Sequence, residues 1–168
     1  MKPIHKTHAF AAACFGMMFF GITMVALGSV LPSLSLKLAL TTMQKATLAS
    51  TLTASILAGS VIFGPVCDTY GHRALFFGSC FAVVAGLAGI AFAPSMHWLL
   101  LSYVLIGIGG GVLNGQTNTI TSDLFDDEST RSARLSLLGA FYGVGAIAIT
   151  LLMGTLGDII DYKYLLLS

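Results

Sequence analysis

The chain has 168 residues, of which 56% are hydrophobic and 9% carry a formal charge, and its net charge is +1. This composition excludes an ordinary soluble domain and is typical of helices that pack against one another inside lipid. Nucleic-acid binding is excluded as well, because neutralising phosphates requires clustered Lys and Arg, and the sequence has no such cluster.

Long uncharged stretches predict the membrane-spanning helices. They cover residues 7–36, 46–67, 74–122 and 135–157. A helix needs about 20 apolar residues to cross a hydrocarbon core about 30 Å thick, so three stretches fit one crossing each. The longest fits two, because a proline and an interfacial tryptophan interrupt it at residues 94–98. The predicted fold is an all-α integral membrane protein with five transmembrane helices, at about 9–31, 46–66, 74–93, 97–118 and 135–156.

The distribution of Lys and Arg among the loops indicates the orientation. With a cytoplasmic N-terminus, the cytoplasmic side holds Lys2, Lys6, Arg73, Arg131 and Arg134, and the other side holds Lys37, Lys45 and Lys163. Cytoplasmic loops are usually richer in Lys and Arg. We therefore expect a multi-pass protein of the plasma (inner) membrane with its N-terminus in the cytoplasm.

A short loop with an acid, a glycine and a basic end joins the second and third predicted spans. Residues 64–73 read Gly-Pro-Val-Cys-Asp-Thr-Tyr-Gly-His-Arg. Gly71 can adopt the positive φ that a tight reversal needs, and Arg73 can anchor the loop at the membrane surface. A carboxylate such as Asp68 at a helix end in the interface is costly unless it is paired or lies at a helix N-terminus.

This loop resembles the signature motif of the major facilitator superfamily, in which glycine, three residues, aspartate, a basic residue, any residue, glycine and two basic residues follow one another. The match holds at Gly64, Asp68, Gly71 and Arg73, and the sequence departs at Thr69 and in part at His72. The resemblance implies that the four matching residues form a conformational-switch loop whose aspartate helps to latch the transporter in its outward-open state. The alternative is that Asp68 and Arg73 are ordinary interfacial charges.

The fourth predicted span carries a stripe of small and amide side chains. Gly107, Gly111, Asn114 and Asn118 lie within about 60° of one another on a helix, and Gln116 points the opposite way. Glycines four residues apart permit close contact with a neighbouring helix, and buried amides in lipid need partners. We predict that the glycines pack against another helix and that the two asparagines either interlock helices or line a substrate cavity or its gate.

The fifth predicted span repeats the stripe with Gly139 and Gly143, which are expected to pack in the same way. Together with residues 114–118, residues 138–146 resemble the fucose permease-like branch, whose members are sugar and proton symporters. Two departures limit this resemblance. Tyr103 stands where many proton-coupled members carry an arginine, and the fifth span lacks the glycine-proline pair of the drug antiporters, which argues against drug export.

No catalytic site, metal site or cofactor is expected. The four histidines and three cysteines are scattered and lack partners at ligand spacing; they are His5, His8, His72, His97, Cys14, Cys67 and Cys80. The Gly-rich run 107–111 lacks the preceding strand that a dinucleotide-binding fingerprint requires.

The leading hypothesis is a secondary transporter that moves a small polar solute, best a sugar, by alternating access. The family resemblance implies that the five helices form most of one six-helix N-terminal half, that a sixth span starts near residue 168, and that a C-terminal half is missing. Its partners would be that half, the lipid bilayer and the solute, with or without a proton. Since none of the predicted spans has an acid in its interior, the coupling group lies elsewhere or the protein is a facilitator. The alternative is a small self-contained membrane scaffold or accessory protein that binds partner helices through its glycine stripes.

Overall fold

The structure, a computed structural model, describes residues 3–156. These residues form four helices: α1 (Pro3–Lys37), α2 (Thr42–Ala91), α3 (Met96–Leu124) and α4 (Glu128–Leu156). Each of the four is long and apolar enough to cross a membrane. The all-α membrane class therefore agrees with the prediction, and the predicted start of a sixth span lies outside the described residues.

The second helix, α2, contains 50 residues and is broken at Gly71. Gly71 has φ 78° and ψ 160°, which is not helical and divides α2 into the arms 42–70 and 72–91. A straight helix of this length would extend about 75 Å, more than twice the hydrocarbon thickness. The break therefore allows each arm to cross the membrane separately.

Contacts with α3 show that the two arms run in opposite directions. Residues on the first arm meet α3 in parallel order, and residues on the second arm meet it in antiparallel order. The contacting pairs are Ser55 with Gly107 and Ser60 with Gly111 on the first arm, and Gly86 with Ile106 and Val83 with Gly109 on the second. The chain therefore reverses at Gly71.

The described residues form four helices where the sequence predicts five spans, because the second and third predicted spans are joined in α2. The predicted spans 46–66 and 74–93 are the two arms of α2, and they continue into one another through a single non-helical residue rather than through a loop. The start of α2 is fixed by a capping box, in which Thr41 Oγ1 accepts from the Gln44 amide at 3.3 Å and Gln44 Oε1 accepts from the Thr41 amide at 2.8 Å.

Separate apolar clusters lie at the two ends of the bundle. The end that holds the start of α1, Gly71 and the start of α4 is called the N-terminal end. There, a cluster of Phe10, Ala13, Cys14, Leu124 and Leu138 joins α1, α3 and α4. The guanidinium carbon of Arg134 lies 5.2 Å from the ring centre of Phe10 and 5.3 Å from that of Phe125, so a cation packs on the aromatic edge of this cluster.

Asp127 caps the start of α4. Its carboxylate accepts hydrogen bonds from the Ser129 hydroxyl at 2.6 Å and from the Thr130 amide at 2.9 Å. These bonds, chiefly the one from Ser129, lower the pKa of Asp127 from its ordinary 3.8 to about 2. Ser129 and Thr130 thus both donate to the aspartate that precedes them.

The low pKa of Asp127 makes the first turn of α4 sensitive to acid. Because the folded-state pKa lies below the unfolded one, the cap stabilises the helix fully above about pH 4, and the stabilisation is lost as the pH falls through about 2. We expect the hydrogen-exchange protection of the Thr130 amide to fall over this interval. In the Asp127→Asn variant, which has no titrating group at this position, the protection should not change over the same interval. Constant protection in the wild-type protein would contradict the role of the cap.

Candidate functional site

The residues of the expected switch loop lie at the N-terminal end, but they are not in a loop. Gly64 and Asp68 belong to the first arm of α2, and Arg73 is the second residue of the second arm. Asp68 and Arg73 are exposed, and the side chain of neither forms an ion pair or hydrogen bond with another described residue. A Cβ atom at Gly64 would meet no described atom within 4 Å. The structure thus leaves the aspartate and the arginine available to contacts outside the described residues.

Asn114 and Asn118 form a pair along one face of α3. Asn118 Nδ2 donates to the Asn114 carbonyl at 2.8 Å and to Asn114 Oδ1 at 3.1 Å. Both residues are half-buried. The pair is bonded within its own helix and forms no hydrogen bond to another described helix. The remaining polar atoms, Asn114 Nδ2 and Asn118 Oδ1, are therefore free to bind a solute or a further helix.

Two of the four glycines expected to pack between helices do lie in such contacts. A Cβ at Gly107 would overlap the Ser55 side chain, and a Cβ at Gly111 would overlap the Ile56 carbonyl oxygen on the first arm of α2. Ser60 Oγ donates to the Gly111 carbonyl at 3.2 Å across the same contact. This contact therefore depends on backbone approaching backbone.

The other two glycines lie elsewhere, and the seam between α1 and α4 uses different residues. A Cβ at Gly139 or Gly143 would meet no described atom within 4 Å. Instead, Gly145 lies against the Met18 carbonyl and Gly21 of α1 lies against the Tyr142 carbonyl. Helical spacing identified a stripe of glycines on α4, but it could not show which face of α4 is turned toward α1.

A cavity of about 940 Å³ opens among α1, the second arm of α2 and α3 at the N-terminal end. Its polar lining consists of His8, His72, Arg73, Gln116 and Asp123. Its apolar lining includes Ala12, Phe76, Phe77 and Ile120. Cavities of this size, apolar with a few converging polar groups, are typical of small-molecule sites.

Gln116 is the fully buried polar residue of this cavity wall. Its Nε2 donates to the His72 carbonyl, the first carbonyl after the break in α2. Its Oε1 is buried and has no hydrogen-bond partner among the described residues. The sequence prediction did not include Gln116 among the candidate site residues, because Gln116 points away from the glycine stripe. The rule applied to the two asparagines, that an amide in an uncharged span needs partners, would have identified it.

The described residues show no group of three or more His, Cys, Asp or Glu side chains that could hold a metal ion. One pair lies beside the cavity, with Cys67 Sγ 3.2 Å from His72 Nδ1. Two ligands do not make a tetrahedral site of the kind that zinc prefers.

Comparison with known proteins gives the family. Residues 12–168 match the family model of the Major Facilitator Superfamily. Multidrug resistance protein 3 of Bacillus subtilis is 33% identical over 112 residues, which cover 66% of this chain and 21% of that protein. Monocarboxylate transporter 9 of Gallus gallus is 36% identical over 90 residues, or 51% of this chain and 17% of that protein. The multi-drug resistance efflux pump PmrA homolog of Lactococcus lactis is 29% identical over 95 residues, or 56% of this chain and 21% of that protein.

These relatives change two expectations from the sequence. None of the three is named as a sugar carrier, so they do not support the fucose permease-like branch. Two of them are named for multidrug resistance or efflux, whereas the missing glycine-proline pair had argued against drug export. The chain spans about a fifth of the length of these relatives.

The family match covers nearly the whole sequence, and the helices are those of a multi-pass membrane protein. The chain belongs to the Major Facilitator Superfamily of membrane transporters.

Proposed function

We propose that the protein is a secondary transporter that carries a small amphipathic organic solute across the membrane by alternating access. The observation that supports this most is the family match over residues 12–168. The relatives are named for multidrug resistance and for monocarboxylates, which are organic solutes with apolar parts. Since the chain spans about a fifth of their length, we propose that further helices complete the solute pathway.

The amide pair on α3 is our candidate for the solute-contacting surface. Asn114 and Asn118 lie in a span free of formal charge, and each keeps one polar atom unbonded to described residues. Neutral donors and acceptors of this kind can orient a polar group without holding an ion. A sugar hydroxyl would also fit such a pair, but the names of the relatives favour an amphipathic solute.

We propose that the N-terminal end faces the cytoplasm, because five of the eight Lys and Arg residues fall on that side. In that orientation Gly64, Asp68, Gly71 and Arg73 form the switch region on the cytoplasmic surface. The exposed, unpaired carboxylate of Asp68 supports a role in contacts that form in only one state of the cycle. The coupling ion, if there is one, would be held outside the apolar interiors of the described helices.

We expect Asp68→Asn to slow solute turnover about tenfold, with a change in solute affinity of less than about twofold. The carboxylate acts on the exchange between states and does not touch the solute, so its loss removes a charge-assisted contact worth about 1.5–3 kcal/mol in one state only. Initial rates in proteoliposomes and equilibrium binding in detergent give the two quantities.

Asp126→Asn is the matched control for Asp68→Asn. Asp126 is an exposed acid at the same end of the bundle, and it forms no hydrogen bond with a described residue. Its loss should leave turnover unchanged. Equal turnover in wild type and Asp68→Asn, or equal losses in both variants, would contradict the switch role.

The solute class is tested by competition for uptake. We expect 3-phenyllactate or ethidium to compete with a transported organic probe, and galactose at the same concentration to have no effect. The protein should be purified in its native form from its own membranes, because the described helices offer only part of a pathway. Competition by galactose alone would restore the sugar hypothesis and reject the amphipathic one.

A further inference from the structure

The cavity at the N-terminal end is chemically different from the amide pair on α3. It lies among α1, the second arm of α2 and α3, and it carries formal charges of both signs, from Arg73 and Asp123. The amide pair carries no charge, and neither of its residues lines the cavity. A ligand in this cavity would therefore be recognised by different groups.

The buried wall of the cavity has an acceptor with no donor. Gln116 is wholly buried, its Nε2 donates a hydrogen bond to the His72 carbonyl, and its Oε1 is unpaired among the described residues. A buried polar atom without a partner is costly, so native proteins rarely keep one unless a ligand or water satisfies it. The missing partner must donate a hydrogen bond, as a hydroxyl or an ammonium group does.

Two charged groups, Arg73 and Asp123, line the cavity together with this acceptor. Arg73 directly follows His72, whose carbonyl accepts the hydrogen bond from Gln116, and both Arg73 and Gln116 line the cavity. Asp123 lies seven residues farther along α3, which corresponds to about 10 Å. One ligand can therefore place an anionic group beside Arg73 and a hydrogen-bond donor beside the Gln116 acceptor within the same cavity.

We propose that this cavity binds a small organic acid that carries a hydrogen-bond donor next to its carboxylate. The carboxylate pairs with Arg73, the donor satisfies Gln116 Oε1, and an apolar body packs on Phe76, Phe77 and Ile120. This inference rests on the proposed function, because it names the class of solute that would enter the transporter from this end.

The test compares two acids that differ by one hydroxyl group. The protein, purified intact and placed in lipid nanodiscs, is titrated with 3-phenyllactate and with 3-phenylpropanoate. We expect 3-phenyllactate to bind about fivefold more tightly, as one hydroxyl-to-amide hydrogen bond allows. Gln116→Leu should remove this preference and retain binding of both acids. Arg73→Gln should weaken both acids about tenfold and keep the preference.

Thr121→Val is the matched control for Gln116→Leu. Thr121 is also fully buried on α3, and its hydroxyl donates to the Thr117 carbonyl of the same helix at 2.8 Å. Loss of this hydroxyl should change neither the affinity for the two acids nor the preference for 3-phenyllactate. Equal wild-type affinities for the two acids, absence of binding, or a preference that persists in Gln116→Leu would each overturn the proposal. Because the wild-type comparison needs no variant, the test does not depend on Gln116→Leu folding.

Binding and transport are measured separately, so the two proposals can fail separately. Uptake of an organic probe without any preference between the two acids would reject this inference and leave the proposed function standing. Preferential binding that depends on Gln116 in a protein that transports nothing would reject the proposed function and support this site.

Discussion

Gly111→Ala is expected to destabilise the protein by about 1–3 kcal/mol, because overpacking a tight contact forces backbone shifts of that cost. A Cβ at this position would overlap the Ile56 carbonyl oxygen and lie against the Ser60 amide on the first arm of α2. Both are backbone atoms, so no side chain can rotate to relieve the overlap. In lipid, helices associate largely through such close packing, and separating α3 from α2 weakens the main contact of the bundle.

The measurement is the free energy of unfolding in mixed micelles, titrated with a denaturing detergent. Gly139→Ala is the control, since this helical glycine has no described atom within 4 Å of an added Cβ. It should be neutral or stabilising by up to about 1 kcal/mol, because alanine has the higher helix propensity. If Gly111→Ala were as stable as Gly139→Ala, the inference that α3 and α2 are too close at Gly111 to admit a Cβ would be contradicted.

Gly71→Ala is expected to have the second large effect, because it changes the residue at which α2 reverses. The backbone there has φ 78° and ψ 160°, a region that is essentially restricted to glycine. Forcing a residue with a Cβ into this region costs about 1–3 kcal/mol, and relaxing it would rotate the second arm and pull the His72 carbonyl from Gln116. We therefore expect lower stability together with a change in the geometry of the arms.

Spin labels at the exposed positions Thr53 and Val84 report the separation of the two arms. The wild-type protein should give a single narrow distance distribution, and Gly71→Ala should broaden or shift it. Gly78→Ala is the control, because Gly78 lies on the same helix with open space around an added Cβ. Identical distributions in all three proteins would show that the reversal does not depend on glycine.

The membrane class of the fold could be predicted because it follows from composition alone. The absence of charges in 74–122 and 135–157 requires helices, since a backbone in lipid must satisfy its own hydrogen bonds. The number of separate helices could not be predicted in the same way. The charged residues Asp68 and Arg73 mark the boundary between two uncharged stretches. They do not show that the helix continues up to Gly71 from both sides.

Features of the candidate site that depend on a single helix could be predicted from the sequence. Features that depend on contacts among several helices could not. The spacing of Gly107 and Gly111 defined a face of α3 that the structure places against α2, whereas the equivalent face of α4 is turned away from α1. Which faces meet depends on the whole bundle. The cavity beside Gln116 brings together residues from three helices, and no local pattern joins His8, Arg73 and Asp123.

The most direct test of whether this protein is a carrier that alternates between two states is solute counterflow in proteoliposomes. Vesicles loaded with unlabelled 3-phenyllactate are diluted into a trace of the labelled compound. We expect a transient accumulation of label above its equilibrium level, which a carrier that exchanges solutes produces and a pore or a scaffold does not. Label that only approaches equilibrium, at the rate of protein-free vesicles, would contradict the account and favour a scaffold that binds partner helices.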